Sequence, residues 1–74
     1  MNTRLGQRIK ELRIERGLSQ RRLAEESGVI RPTVTRHESG KHTPTIENVV
    51  AYAKSLGVKP SEILHVLDWE EPTQ

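Results

Sequence analysis

The sequence predicts an all-α fold of five short helices around one core. Apolar residues recur at helical spacing along most of the chain. No segment alternates apolar and polar residues with β-branched enrichment over more than a few positions. Gly or Pro stands at each expected boundary, at Gly17, Gly28, Gly40 to Pro44, Gly57 and Pro60. A chain of 74 residues makes one domain with a modest core, because a domain of this size buries only about 60% of its unfolded surface.

The first helix is expected from Asn2 or Thr3 to Arg16, with Leu5, Ile9 and Leu12 on one stripe, Ile14 off it, and Gly17 at its end. The second begins where Ser19 can accept from free backbone N–H groups, carries Leu23 and Ala24 on one side, and ends in a left-handed turn at Gly28. The third, Arg31 to Ser39, has two unlike faces: Arg31, Pro32, Thr35 and Arg36 on one, and on the other its single aliphatic residue Val34 with His37 and Glu38. After the loop from Gly40 to Pro44, Thr45 caps a fourth helix whose apolar side is expected to hold Ile46, Val49, Val50, Ala53 and Leu56, closed by Gly57. Pro60 opens a fifth at its first position, followed by Ile63, Leu64 and Leu67. The domain is expected over residues 1–67 and a tail over 68–74, which is acidic and polar except for Trp69.

Charge is divided along the chain. Met1 to Thr43 holds ten Lys or Arg against five Glu, a net of +5, whereas Pro44 to Gln74 holds two Lys against five Asp or Glu, a net of −3. The basic half coincides with the two central helices, and two helices joined by a tight turn can carry the second into a DNA groove. A polyanion partner follows from that overlap, since phosphate neutralisation supplies most nonspecific DNA affinity; a merely solvated charged surface is the alternative. The chain has no cysteine, which removes disulfides and thiolate metal sites and fits a reducing compartment. Its start lacks the apolar run of a signal peptide, and no stretch approaches the roughly 18 apolar residues of a membrane span. Catalysis has no foothold either, with neither a phosphate-cradling glycine loop nor a nucleophile beside a base. Glu25 and Glu26 diverge around a helix and sit near Arg21 and Arg22, as surface charges do. His37, His42 and His65 share no ligand spacing on one helix, so no metal is expected.

The segments LGQRIKELR, RGLSQRRLAEESGV, TVTRHESGKHTP, IENVVAYAKSLGV and PSEIL follow one another in an order and spacing that resembles the Cro and phage-repressor (XRE-type) family of helix-turn-helix domains, over about Leu5 to Leu64. That resemblance implies a compact, lambda-repressor-like domain whose helices 2 and 3 form the helix-turn-helix. It further implies a sequence-specific, double-stranded DNA-binding transcriptional regulator that is not an enzyme and needs no cofactor. Gln20 matches a phosphate-contacting position at a helix N-terminus, where free N–H groups favour anions. Arg31, Pro32 and Arg36 match positions facing base edges; an arginine such as Arg36 can donate two hydrogen bonds to guanine O6 and N7. Thr33 and Thr35 are expected at bases or phosphates, with Thr35 better aimed. Ser39, Lys41 and His42 match the family's grip on the backbone after the recognition helix, which sets register. Arg13 and Glu38 match a pair that forms an ion bridge, orienting Arg13 toward a phosphate and holding the recognition helix.

Three residues depart from the family pattern. Ile30 stands where a small hydroxyl cap is usual and has no oxygen to offer. Pro32 lacks an N–H and biases Arg31 away from helical angles, so the recognition helix is expected to start one residue late, with Arg31 as the cap and Pro32 first inside. Ile30 then either touches a thymine methyl or packs with Pro32 against the turn. His37 replaces an apolar core residue and is expected to be partly buried with a hydrogen-bond partner, a pH-responsive role or a phosphate contact being the alternatives.

One recognition helix reads only a few base pairs, so a homodimer on a palindromic operator is expected. Val66, Leu67 and Trp69 are candidate interface residues, against the alternative that Trp69 folds back to complete a core lacking any Phe. Residence in the cytoplasm of a bacterium or phage-infected cell, on the nucleoid when bound to DNA, goes with this reading, as does control without an attached ligand-sensing domain or a small-molecule ligand. The acidic tail with Trp69 keeps open a second reading, a protein-interaction module of antitoxin or anti-repressor type whose main partner is another protein. Whether the regulator represses or activates stays open.

Overall fold

The computed structural model describes residues 3–66, in five helices: α1 Thr3–Glu15, α2 Gln20–Ser27, α3 Arg31–Ser39, α4 Ile46–Leu56 and α5 Pro60–Leu64. No strand occurs among the described residues. Asn2, Leu67, Trp69 and the tail, and with them the expected boundary at 67, lie outside the described residues. Two helix starts are set by hydroxyl side chains. Ser19 Oγ accepts from Arg22 N at 3.0 Å, and Thr45 Oγ1 accepts from Asn48 N at 3.1 Å while Asn48 Oδ1 accepts from Thr45 N at 3.3 Å. Leu5, Ile9 and Leu12 of α1 meet Leu23, Val34, four residues of α4 and Ile63 in one buried cluster, at about 1.5–3 kcal/mol for each large aliphatic side chain.

The buried face of α4 is rotated from the expected one. Val49, Tyr52, Ala53 and Leu56 are buried, whereas Ile46 is 62% exposed and Val50 38%. Tyr52 claims the place because its ring fills the centre and its hydroxyl finds a partner there; Ile46 and Val50 fall on the rim. The start of α3 also differs from expectation. Ile30, extended at φ −65° and ψ 148°, is the cap residue, and its carbonyl accepts from Thr33 N at 3.0 Å and Val34 N at 3.1 Å. Arg31 is therefore the first helical residue and Pro32 the second, where the missing N–H has no intrahelical partner to lose.

Helix α1 holds the rest together. Gly6 lies so close to α3 that a Cβ built on it would meet the His37 carbonyl oxygen at 1.8 Å. Three arginines of this region reach outward to backbone carbonyls: Arg8 Nε to Glu62 O at 3.1 Å, Arg13 Nη1 to Leu18 O at 2.7 Å, and Arg16 Nε to Leu56 O. The last covers a carbonyl in the final turn of α4, a group that no intrahelical N–H can satisfy. Beneath α3, His37 is 3% exposed; its Nδ1 pairs with the Tyr52 hydroxyl at 2.7 Å, the two rings edge to face. Burial, with the neighbouring His42 second, pushes the His37 pKa below its ordinary value, and burial pushes the Tyr52 hydroxyl up.

Two outcomes follow from this packing. An alanine in a helix interior normally gains about 1 kcal/mol over glycine, but Gly6→Ala forces two backbones apart and is expected to cost about 3 kcal/mol, at the upper limit of overpacking. Urea unfolding followed by circular dichroism should therefore show a large loss, and a gain would remove the close approach. The unfolded chain takes up a proton on His37 below about pH 6.5, where the buried imidazole still resists it. The stability contributed by neutral His37 is thus present above that pH and lost as pH falls through it. Between about pH 7.5 and 5.5 the urea midpoint should drop more steeply in the parent than in His37→Gln; parallel declines would assign the loss elsewhere.

Candidate nucleic-acid interface

The turn between α2 and α3 is built from backbone. Gly28 takes φ +82°, which glycine adopts at no steric cost, and its N–H donates to Ala24 O at 2.9 Å. Ser27 Oγ then accepts from Val29 N at 3.2 Å. The chain enters α3 with Val34 and His37 turned into the core. Arg31, Pro32, Thr35, Arg36 and Ser39 are left on the exposed side, Thr33 half-buried beside them. Ile30 projects 66% exposed just before the helix, so packing against the turn does not cover it. After α3, Lys41 N and His42 N both donate to the Arg36 carbonyl, at 3.0 and 3.3 Å, which fixes the backbone and leaves both side chains exposed. Ser39 Oγ donates to the same carbonyl at 3.1 Å.

Partner choice separates the arginines into two groups. Arg8, Arg13, Arg16, Arg21 and Arg22 each pair with a glutamate. The side chains of Arg31, Arg36 and Lys41 make no ion pair or hydrogen bond among the described residues. The single acidic residue of α3, Glu38, faces inward, with its side chain 3% exposed. The outer face of α3 and the loop after it therefore carry cations that no carboxylate neutralises, next to a helix N-terminus. Such a surface suits a polyanion.

Glu38 is the node beneath that surface. Its Oε2 accepts from Arg13 Nε at 2.7 Å and its Oε1 from Arg13 Nη2 at 3.0 Å, a two-pronged ion pair. Oε1 also accepts from Gln20 Nε2 at 3.0 Å, and Gln20 Oε1 accepts from Thr35 Oγ1 at 3.1 Å. One chain of hydrogen bonds thus runs from α1 through α3 and α2 to the outer face of α3. Three of the five Arg13 N–H groups are directed at Glu38 and Leu18 O, and the side chain is 11% exposed.

The link from Glu38 to Thr35 was not foreseen from sequence; Gln20 and Thr35 are 15 residues apart and only the fold joins them. Tyr52 and Gly6 were also missed, although a glycine between Leu5 and Ile9 inside a helix was a signal of close approach. Of the expected dimer residues only Val66 is described, half-buried and packed against the core. No group of His, Cys, Asp or Glu among the described residues is arranged to hold a metal, and no described helix is long and apolar enough to cross a membrane.

These features coincide with likeness to known proteins. A helix-turn-helix family model matches residues 9–63. An uncharacterised HTH-type transcriptional regulator of Methanothermobacter thermautotrophicus is 38% identical over 60 residues, covering 81% of this chain and 87% of that protein. The immunity repressor protein of Bacillus phage phi105 is 37% identical over 60 residues; the match covers 81% of this chain but 42% of the repressor, so the chain spans less than half of that relative. Among solved structures, the restriction-modification controller protein C.AhdI from Aeromonas hydrophila superposes with a TM-score of 0.80 at 38% identity, over 82% of this chain and 92% of that one. With five helices, a glycine turn ahead of an outward cationic helix, and a family match spanning both, this chain belongs to the XRE-type helix-turn-helix family.

Proposed function

We propose that the chain is a DNA-binding transcriptional regulator that inserts α3 into the major groove of a specific operator. The observation that carries this reading is the set of unpaired cations on the outer face of α3 and the following loop, in a protein where Arg8, Arg13, Arg16, Arg21 and Arg22 pair with glutamates. Arg36 and Arg31 read base edges, Arg36 by two hydrogen bonds to one guanine. Thr35 reads a base beside them, and Ile30 and Pro32 offer apolar contact to thymine methyls. Gln20, Thr33, Ser39, Lys41 and His42 hold the phosphate backbone on either side, where contacts fix register without reading sequence. The protein acts as a homodimer on two half-sites about one helical turn apart, without cofactor and without chemistry of its own. Similarity to a phage immunity repressor and to a restriction-modification controller supports regulation by occupancy of an operator.

Selection from a random-sequence DNA pool should return one operator with two symmetric half-sites. On it Arg36→Ala is expected to lose about 1–3 kcal/mol and to relax preference at one base pair per half-site. Lys41→Ala should weaken all sequences alike and lower the slope of log K against log salt by about one per protomer. Failure to bind any duplex at low salt would refute DNA binding and leave a protein partner as the remaining reading.

Glu38 provides a further check because two effects oppose each other. Removing its charge makes the protein more cationic, which strengthens nonspecific binding; it also unfastens Arg13 and Gln20, which loosens the recognition helix. Glu38→Gln, measured on protein shown to be folded by circular dichroism, should bind random duplex as well as the parent or better. On the operator its affinity should fall about tenfold. An unchanged operator affinity would deny the ion pair any part in recognition.

A further inference from the structure

We propose that Thr35 is a specificity-determining residue whose hydroxyl can only accept in the groove, so that it selects a base presenting an exocyclic amino group, adenine N6 or cytosine N4. This rests on the groove-binding reading above and adds to it the polarity of one contact. Polarity is set from the far end of the hydrogen-bond chain. The Glu38 carboxylate, held by Arg13 Nε and Nη2, has only lone pairs to offer. Gln20 must therefore turn its amide nitrogen toward Glu38 Oε1, at 3.0 Å, and this leaves its amide oxygen facing Thr35. The Thr35 hydroxyl fills that oxygen at 3.1 Å with its one proton. Two lone pairs remain, on an exposed side chain of the outward face of α3. The other internal acceptor open to a helical threonine, the carbonyl one turn back, would take the same proton. A base acceptor such as guanine O6 or N7, adenine N7 or thymine O4 could be met only by withdrawing that proton from Gln20.

Neither Gln20 nor Glu38 needs to touch the base for this. Gln20 acts as a positioning residue, in addition to any phosphate it holds, and Glu38 acts through it. The code at this position is thus set by a buried ion pair two residues removed from the contact.

The test begins with the operator recovered by selection and replaces single groups within it. Purine in place of adenine, or pyrimidin-2-one in place of cytosine, removes one amino group. 7-Deazapurines remove N7, 2-aminopurine in place of guanine removes O6, and 5-methylpyrimidin-2-one in place of thymine removes O4. Binding of each duplex is measured for the full chain and for Thr35→Val, which keeps shape at an exposed site. At one position per half-site, loss of an amino group should weaken the parent about five- to tenfold and leave Thr35→Val unaffected. In Gln20→Met the Thr35 proton is released, and the ratio of amino-removed to acceptor-removed binding at that position should move toward one; a ratio cancels any uniform weakening from a lost phosphate contact. If Thr35→Val is instead coupled to loss of N7, O6 or O4, or to no group at all, the assignment of polarity is overturned. An unchanged ratio in Gln20→Met overturns the part given to Gln20. If no operator is recovered, the groove-binding reading itself fails, a result distinct from a recovered operator with the wrong coupling.

Discussion

The arrangement depends most on the pair between Arg13 and Glu38, at 2.7 and 3.0 Å and almost wholly out of water. Charges so placed bear a large desolvation cost, and their attraction repays it only when the remaining donors and acceptors are also satisfied. Here further bonds are made: Glu38 takes a third from Gln20, and Arg13 gives the third of its five N–H groups to Leu18 O. The net contribution to stability of such a pair is small. What it supplies is alignment, because a carboxylate fixed at two points determines where α1, the loop before α2, the first residue of α2 and the last turn of α3 stand relative to one another. Apolar packing tolerates sliding; a two-pronged ion pair with directional bonds does not.

Division of labour between charge and packing follows along α1. Its apolar stripe of Leu5, Ile9 and Leu12 supplies the hydrophobic driving force. Gly6, on the same helix, allows α3 to approach to backbone contact and so shortens the reach that Arg13 must span. Arg8 and Arg16 attach α5 and the end of α4. A core with ten buried apolar residues among those described, in a chain with no Phe, is thin, and these polar clasps at its edges replace the burial that a larger domain would have. The exposed pairs Arg21–Glu25 and Arg22–Glu26 do something else: surface ion pairs add little stability, but they neutralise the outer side of α2, next to the unpaired Arg31 and Arg36 of α3.

Fold and element order were legible in the chain because they rest on local signals: the stripe in α1, Ser19 and Thr45 as caps, and glycines at helix ends. The family pattern placed α3 and its outward residues. What could not be read locally was set by contacts between distant residues. Tyr52 enters the core because His37, 15 residues earlier, offers its hydroxyl a partner in a dry site, and this turns α4 so that Ile46 and Val50 face outward. Sequence reasoning paired Arg13 with Glu38 but did not anticipate its bond to Leu18 O across the turn. It delayed the start of α3 by one residue since Pro32 weighs against a helical Arg31 locally, whereas the Ile30 carbonyl, accepting from both Thr33 N and Val34 N, outweighs that bias.

That uncapped start has a consequence for how recognition is organised. Every strong constraint on α3 lies beyond its first turn: Val34 and His37 in the core, the His37 carbonyl against Gly6, Glu38 on Arg13, and Gly40 with Lys41 and His42 closing on the last carbonyls. The first turn, from Ile30 to Thr33, has no side-chain cap and, at Pro32, no N–H to place. A helix fixed at its C-terminal end holds the orientation of its whole length, since its own hydrogen bonds carry that orientation back along the axis. The first turn is thereby relieved of structural duty, so residues poor at starting helices are tolerated there. Those are the positions that point outward at the head of α3, where, on the proposed groove-binding reading, side chains are chosen for what they meet rather than for what they hold in the fold.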